Sequence, residues 1–478
     1  MKIIMKRREF LSKMGKSTIA LAGSSALINM LNGCAGQASG DKWNILLILS
    51  DDQGWNQVDY HGFPFYETPN IDKIAEDGMY FTDAYAAAPV CSPTRGSIMT
   101  GKYPARLHIT DYIPGSPYPY AKLTTPQQTL GLPMDEVTMA ELLKKNGYTT
   151  GHFGKWHLSI DKNYEPGRPG DPGSQGFDEV FTSVKPKPDA DPTKDPHHTV
   201  EITERSLKFI ENNKDKPFFC YMSFHTVHRP IMETEEAVAK YQSKPGSDDP
   251  VNNPIMGAMI ERMDYGIGEV LKKLNELNLA EKTIVIFVSD NGGFEELQDQ
   301  APLRGGKAMI YEGGIKVPMA IKWPGVIKPG SKCKTPVITN DLFPTIMEMT
   351  GIRHRIPDID GESLSVLLKK EGNLKRDAIY FHYPHYHHLG YKPASAIREG
   401  DYKLIEWYEE TLYNEKNQIN LYNVREDVGE TKDLAEEMPE LAARLREKLH
   451  QWRKSVDAQE MKVNPNYDPK RADWQFSK

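Results

Sequence analysis

Cys91-Ser92-Pro93-Thr94-Arg95 runs into Gly96-Ser97-Ile98-Met99-Thr100-Gly101. A free cysteine usually ends as a small buried hydrophobe. Here Pro93 and Gly96 punctuate the run and Arg95 lies close to the thiol, an odd way to build a core strand, so Cys91 stands as a candidate nucleophile. Two acid-bearing pairs end apolar runs elsewhere: Asp51-Asp52 follows Trp43 to Leu49, and Asp290-Asn291 follows Thr283 to Ser289. If these runs are neighbouring strands, four oxygen-bearing side chains converge beyond their carboxyl ends, where open α/β sheets place ligands. Hard oxygen donors without accompanying His or Cys suit Ca²⁺ over zinc, and a dication offsets the charge of a tetrahedral anion or its monoester. Each pair alone reads equally as a helix N-cap or an Asx-turn. Two pairs together with Cys91 favour the metal.

Cationic and proton-handling groups follow in order along the chain. Gly154-Lys155-Trp156-His157 falls on a predicted strand-to-loop junction, Phe224-His225-Thr226-Val227-His228-Arg229-Pro230 on another, and Lys307 sits inside Leu303 to Gly314 among paired glycines. A lysine supplies a point charge for an anionic oxygen, and an imidazole can take or give a proton near neutrality. The glycine-rich stretch around Lys307 lacks the Walker pattern, so a phosphate-cradling loop is not indicated.

With these partners in place, the Cys91 segment resembles the signature of the type I, formylglycine-dependent sulfatases of the alkaline phosphatase-like superfamily. The likeness covers Asn44 to about Leu434, including Ile419 to Glu430, where Val428 stands in place of the usual proline. The resemblance implies that a formylglycine-generating maturation enzyme oxidises Cys91 to an aldehyde. One hydroxyl of its hydrate would attack sulfur and the other would later expel sulfate. It further implies that Asp51, Asp52, Asp290, Asn291 and an oxygen of the modified Cys91 hold Ca²⁺, that Lys155 and Lys307 bind sulfate, and that Arg95 holds a hydroxyl of the hydrate and the local loop. His157 would help release sulfate and His228 would protonate the leaving alcohol, with His225 touching substrate. Leu107-His108-Ile109-Thr110-Asp111 and the cluster His382 to Tyr391 look like segments of bacterial exo-acting carbohydrate sulfatases acting on galactose or N-acetylgalactosamine sulfate. On that likeness His108, Asp111 and His385 are substrate-binding. The histidines of the cluster also read as an exposed edge without a ligand. Two other functions stay open: a phosphomonoester or phosphonate hydrolase of the same superfamily, and an inactive lipoprotein that binds sulfated glycans.

The elements that must position these residues are legible as an alternation. Buried strand-length runs at 43–49, 148–153, 217–224 and 283–289 are separated by helical patterns at 68–78, 137–146, 199–212 and 255–277, which predicts a large, mostly parallel sheet with helices on both faces. That catalytic domain is expected over 43–374. A smaller α+β domain with an antiparallel sheet follows over 375–478, with strands at Ser395 to Trp407 and Gln418 to Tyr422, a helix at Pro439 to Lys454, and a loosely wrapped tail from Ser455. Residues 1–34 read as an export signal, Lys6-Arg7-Arg8 before the apolar Ile19 to Leu31, ending in a lipobox-like Leu31-Asn32-Gly33-Cys34, and 35–42 as a linker. Export by the Sec or the twin-arginine route fits equally. Either implies a periplasmic location, as an outer-membrane lipoprotein or at the cell surface, touching the membrane only through a lipid anchor. The net charge of −7 over 478 residues, with no dense Lys/Arg run outside the extreme N-terminus, argues against a nucleic-acid partner. Of the four cysteines, 34, 91, 220 and 333, Cys220 is expected as a buried thiol rather than a disulfide partner of Cys333.

Overall fold

The strand Asn44–Ser50 is buried at every position, as a strand covered on both faces must be. The structure, a computed structural model, describes residues 42–160, 164–389 and 391–472; the export signal and Cys34 lie outside them. Asn44–Ser50 sits near the middle of an eight-stranded sheet. The spatial order is Ser331–Cys333, Met79–Phe81, Met319–Lys322, Thr283–Ser289, Asn44–Ser50, Phe218–Ser223, Thr149–Gly154, Glu179–Thr182. Met319–Lys322 runs antiparallel to both its neighbours, and every other pairing is parallel. The period-two alternation of strands divides the core. Ile45, Leu47 and Leu49 pack with helices Cys91–Thr100, Met139–Lys145 and Leu342–Met349 on one face. Leu46 and Ile48 pack with Thr199–Asn212 and Pro254–Glu276 on the other. Cys220 and Cys333 fall in these opposite layers and are free thiols, which fits the expected buried Cys220. Among the described residues no helix is long and apolar enough to cross a membrane.

The second sheet is antiparallel, in the order Ala378–Tyr383, Ala394–Glu399, Tyr402–Trp407, Ile419–Asn423. The single strand expected from Ser395 to Trp407 is therefore a hairpin. Gly400, at φ +59°, turns the chain so that Glu399 pairs with Tyr402, a conformation that side chains disfavour. Leu445, Leu449 and Trp452 of helix Pro439–Ser455 pack on this sheet in one apolar cluster that also takes in Tyr85, Val90 and Tyr103 from the first half of the chain. The tail after Ser455 is also better held than its polarity suggests. Met461 is buried, Lys462–Val463 pairs with Leu123–Thr124, and the Asn464 amide donates to the carbonyls of Pro119 and Ala121.

Candidate active site

Cys91 opens the helix Cys91–Thr100, whose every residue is buried, with extended Val90 leading in. Pro93 lies in the first turn, where no N–H is needed for the helix ladder. Gly101 ends the helix at φ +72°, donating its N–H to Ser97 O at 2.8 Å, and a Cβ there would come within 3.0 Å of Phe343. The motif thus places the sulfur at the positive end of a helix, where an anion is favoured. Cys91 Sγ lies 3.4 Å from Asp51 Oδ1, 3.8 Å from Asp52 Oδ1 and 3.5 Å from Lys307 Nζ.

The two acid pairs are brought side by side by strand register. Ser50 pairs with Ser289, so Asp51-Asp52 and Asp290-Asn291 leave neighbouring strand ends together. Asp51 is pinned by its own backbone, with its N–H given to Thr226 O at 2.7 Å and its carbonyl accepting from Val227 N at 2.6 Å. Asp52 adopts a left-handed φ of +61° and its N–H reaches Asp290 Oδ1 at 3.2 Å. The Asn291 amide donates to Asp52 Oδ1 at 2.7 Å, which leaves Asn291 Oδ1 buried without a partner. One ligand atom from each of Asp51, Asp52, Asp290 and Cys91 fits within a 4.8 Å span. Burial and the Asp51 charge raise the Asp290 carboxyl to about 6 even though Arg95 opposes them. Burial also raises Asp52 against the pull of Lys307, whereas at Asp51 burial is outweighed by Lys155 together with the other cationic groups around it, and the carboxyl is held well below its ordinary value. Crowded carboxylates with a spare carboxamide oxygen suit a hard dication.

Three cations surround this cluster: Lys155 Nζ lies 2.6 Å from Asp51, Lys307 Nζ 2.6 Å from Asp52, and Arg95 Nη2 2.7 Å from Asp290. Glycine packing positions the second lysine. A Cβ on Gly292 would lie 1.9 Å from Gly313 O, so the two glycine turns interlock, and Lys307 N–H is given to Gly293 O at 2.8 Å. Arg95 is fully buried and also donates to Ser223 Oγ at 2.6 Å and to Lys155 O at 3.1 Å. It therefore orients the Asp290 carboxylate and the lysine turn, a fork geometry that a guanidinium fills well.

Three histidines close the site. His228 Nδ1 donates to Arg229 O at 2.6 Å, which turns Nε2 toward Asp52 Oδ2, 3.7 Å away. His157, at φ +57°, donates from Nε2 to Ile113 O at 2.9 Å and leaves Nδ1 buried without a partner. Both ring nitrogens of His225 are buried and unpartnered. Burial drives all three toward the neutral form: His225 to about 3, with Lys155 adding to the effect, and His157 and His228 well below the ordinary value, with Lys155 and Lys307 respectively adding.

The residues expected to touch substrate are less uniform. His108 Nε2 faces Asp457 O at 2.8 Å, toward the tail. Asp111 is buried, accepts from Tyr383 OH at 2.9 Å, and is raised to about 7 by burial against that hydrogen bond. His385 Nε2 is spent on Thr110 Oγ1 at 2.7 Å. The exposed-edge reading is corrected for His382, His385 and His387, which are buried because Ser395, Thr110 and the Tyr112 ring cover them, whereas His388 is exposed. Burial depresses His387 to about 2, and the Lys307 charge acts on both His387 and His388, which puts their loop beside the site. Sequence reasoning missed Ser223, which holds Arg95, and Phe294, whose ring lies 4.8 Å from Lys307 Nζ and 6.1 Å from the His228 ring. A strand-terminal serine and a phenylalanine after Gly292-Gly293 carry no distinctive signal.

Residues 43–352 match the family model described as Sulfatase, and 306–455 match that of the N-sulphoglucosamine sulphohydrolase C-terminal region. A sulfatase of Formosa agariphila is 30% identical, over 86% of this chain and 88% of its own length. The N-acetylgalactosamine-6-sulfatase of Mus musculus is 29% identical, over 76% of this chain and 72% of its own. Among solved structures, Ps i-CgsB in complex with k-i-k-neocarrahexaose superposes with a TM-score of 0.73 at 27% identity, covering 89% of this chain and 94% of that one.

Proposed function

This chain belongs to the sulfatase family and is a sulfuric ester hydrolase, and on that premise we propose that it cleaves sulfate esters of carbohydrates through a formylglycine derived from Cys91 and a bound Ca²⁺. The observation that carries the reading is the buried ring of Asp51, Asp52, Asp290, Asn291, Arg95, Lys155 and Lys307 around Cys91 at a helix N-terminus. Asp51, Asp52, Asp290 and Asn291 would hold the dication, which when bound offsets the charge of the ester, and the formylglycine hydrate would supply the attacking hydroxyl and a second one for release.

The chain's own residues do the rest. Lys155 and Lys307 carry the charge for the sulfate oxygens at fixed, buried positions, where such charge is worth more than in water. His157 offers the free Nδ1 lone pair to a hydroxyl proton, because its Nε2–H is committed to Ile113 O. His228 presents Nε2 to the cluster, and an anionic ester bound there raises its proton affinity, which suits protonation of the leaving alcohol.

The preferred substrate is an exo-accessible galactose or N-acetylgalactosamine sulfate, supported by the activity of the mouse relative and by a structural neighbour bound to an oligosaccharide. The export signal and lipobox-like Cys34 support an exported, lipid-anchored protein. The test is turnover of the sulfate and phosphate esters of one aryl alcohol, and of the 3-, 4- and 6-sulfates of both sugars. Sulfate release from the aryl and at least one sugar ester is expected. Phosphate release dominating, or no sugar sulfate accepted, would refute the enzyme assignment or the carbohydrate assignment respectively.

A further inference from the structure

A cavity of about 380 Å³, within the roughly 300–1,000 Å³ of small-ligand clefts, opens where the Lys307 loop meets the C-terminal sheet. Met309, Ile310 and Tyr311 form one wall, a few residues past Lys307, and Tyr391, Trp407, Glu410 and Asn420 form the other. It adjoins the catalytic cleft through Tyr391, whose OH donates to Glu295 Oε2 at 3.1 Å. Glu295 follows Phe294, the ring beside Lys307 and His228.

The wall chemistry is specific. Trp407 and Tyr311 stand with ring centroids 5.8 Å apart and planes tilted by 54°, an apolar corner for the C–H face of a ring. Trp407 Nε1 donates to Asn420 Oδ1 at 2.6 Å, and the Asn420 amide in turn donates to Asp433 Oδ2 at 2.7 Å, which fixes the indole on the cavity wall. Glu410 Oε1 accepts from Lys392 Nζ at 2.7 Å, while its Oε2 is buried without a partner. A buried carboxylate oxygen left unpaired is costly, and a ligand hydroxyl is the donor that would satisfy it. Lys392 is not free to bind an anion, since Glu409 lies 3.5 Å from it on the other side.

We infer that this cavity is a subsite for an unsulfated pyranose of the same glycan chain whose sulfated end occupies the catalytic cleft. The inference rests on the carbohydrate sulfatase reading and adds a preference for an uncharged sugar beyond the cleaved one. The pyranose would lie on Trp407 and give a hydroxyl to Glu410 Oε2.

The test compares kcat/KM for an aryl sulfate, for the sulfated monosaccharide, and for two tetrasaccharides ending in it, one otherwise unsulfated and one sulfated internally. The wild type should favour the otherwise unsulfated tetrasaccharide. In Glu410→Gln, where a donor replaces the unpaired acceptor, the ratio of tetrasaccharide to aryl sulfate kcat/KM should fall by roughly tenfold, the size of one hydrogen bond to a charged group. Trp407→Ala should lower the same ratio, and Glu410→Gln decides alone if that variant does not fold. A ratio unmoved in Glu410→Gln, or an internally sulfated tetrasaccharide preferred by the wild type, overturns the subsite while the sulfatase reading stands. Turnover of aryl sulfate with no saccharide accepted overturns both.

Discussion

As a thiol, Cys91 is badly suited to attack: burial, then the Asp290 charge, push it far above its ordinary value despite Lys155 and Lys307, so it stays protonated at neutral pH. The proposed conversion of Cys91 would supply a nucleophile that does not depend on ionising this thiol. Cys91→Ala should keep the melting temperature within a few degrees, because only the sulfur is removed, yet lose measurable turnover of any sulfate ester. At the acid step, His228→Ala should depress sugar-sulfate turnover by about 10²–10⁴-fold and activated aryl sulfate far less, since a phenolate leaves with little protonation. His225→Ala should affect both esters alike, and a leaving-group series showing the opposite pattern would move the acid to His225. Cys91, the two acid pairs, both lysines and the three histidines were legible from residue type and chain position. Ser223 and Phe294 were not, because their parts are contacts with distant residues and leave no local pattern.

The elements matter through register and close backbone approach. Asp290 reaches Asp51 and Asp52 only because Thr283–Ser289 pairs in register with Asn44–Ser50. Asp290→Ala should therefore abolish calcium binding and activity together, and should also destabilise by about 3–5 kcal/mol because it removes the carboxylate 2.7 Å from the buried Arg95 and leaves only the more distant Asp51, at 3.9 Å. Elemental analysis with chemical denaturation reads both, and full calcium occupancy in the variant would rule out the assigned ligand set. A Cβ at Gly313 would stand 2.0 Å from Gly305 O, so Gly313→Ala should displace the Lys307 loop and raise KM for sulfate esters well before it unfolds the protein. Buried apolar runs made the parallel sheet readable from sequence. The hairpin at Gly400 was less so, because one glycine between two strand patterns looks like a tolerated interruption. The His382 to Tyr391 segment misled because histidine reads as polar, whereas here burial keeps the imidazoles neutral and side-chain partners satisfy them.

At the scale of the whole molecule, the two sheets are joined by a fully buried ion cluster. Lys403 of the antiparallel sheet lies 3.1 Å from Glu312, in the turn after the Lys307 loop, and 3.0 Å from Glu430, which also accepts the Glu312 N–H at 2.7 Å. Lys316 also lies 3.8 Å from Glu312, but Lys403 alone faces Glu430, and burial, with the Glu312 charge adding and Lys403 opposing, raises Glu430 to about 7. The folded state then binds a proton that the unfolded chain releases near the ordinary glutamate value. Stability from this group is full below about 4.5 and is lost as pH rises toward about 7. Glu430→Gln should flatten that fall in melting temperature across the same window, and an unchanged slope would contradict the shared proton. Nothing local in the sequence pairs Lys403 with Glu312 and Glu430, since the contact exists only once both sheets are folded. The claim on which the whole account turns is that turnover depends on conversion of Cys91. The direct measurement is kcat per mole of protein against the aldehyde fraction at Cys91, read by peptide mass analysis across preparations made with increasing maturation enzyme. A line through the origin is the predicted result, and full turnover in protein whose Cys91 is an intact thiol would contradict it.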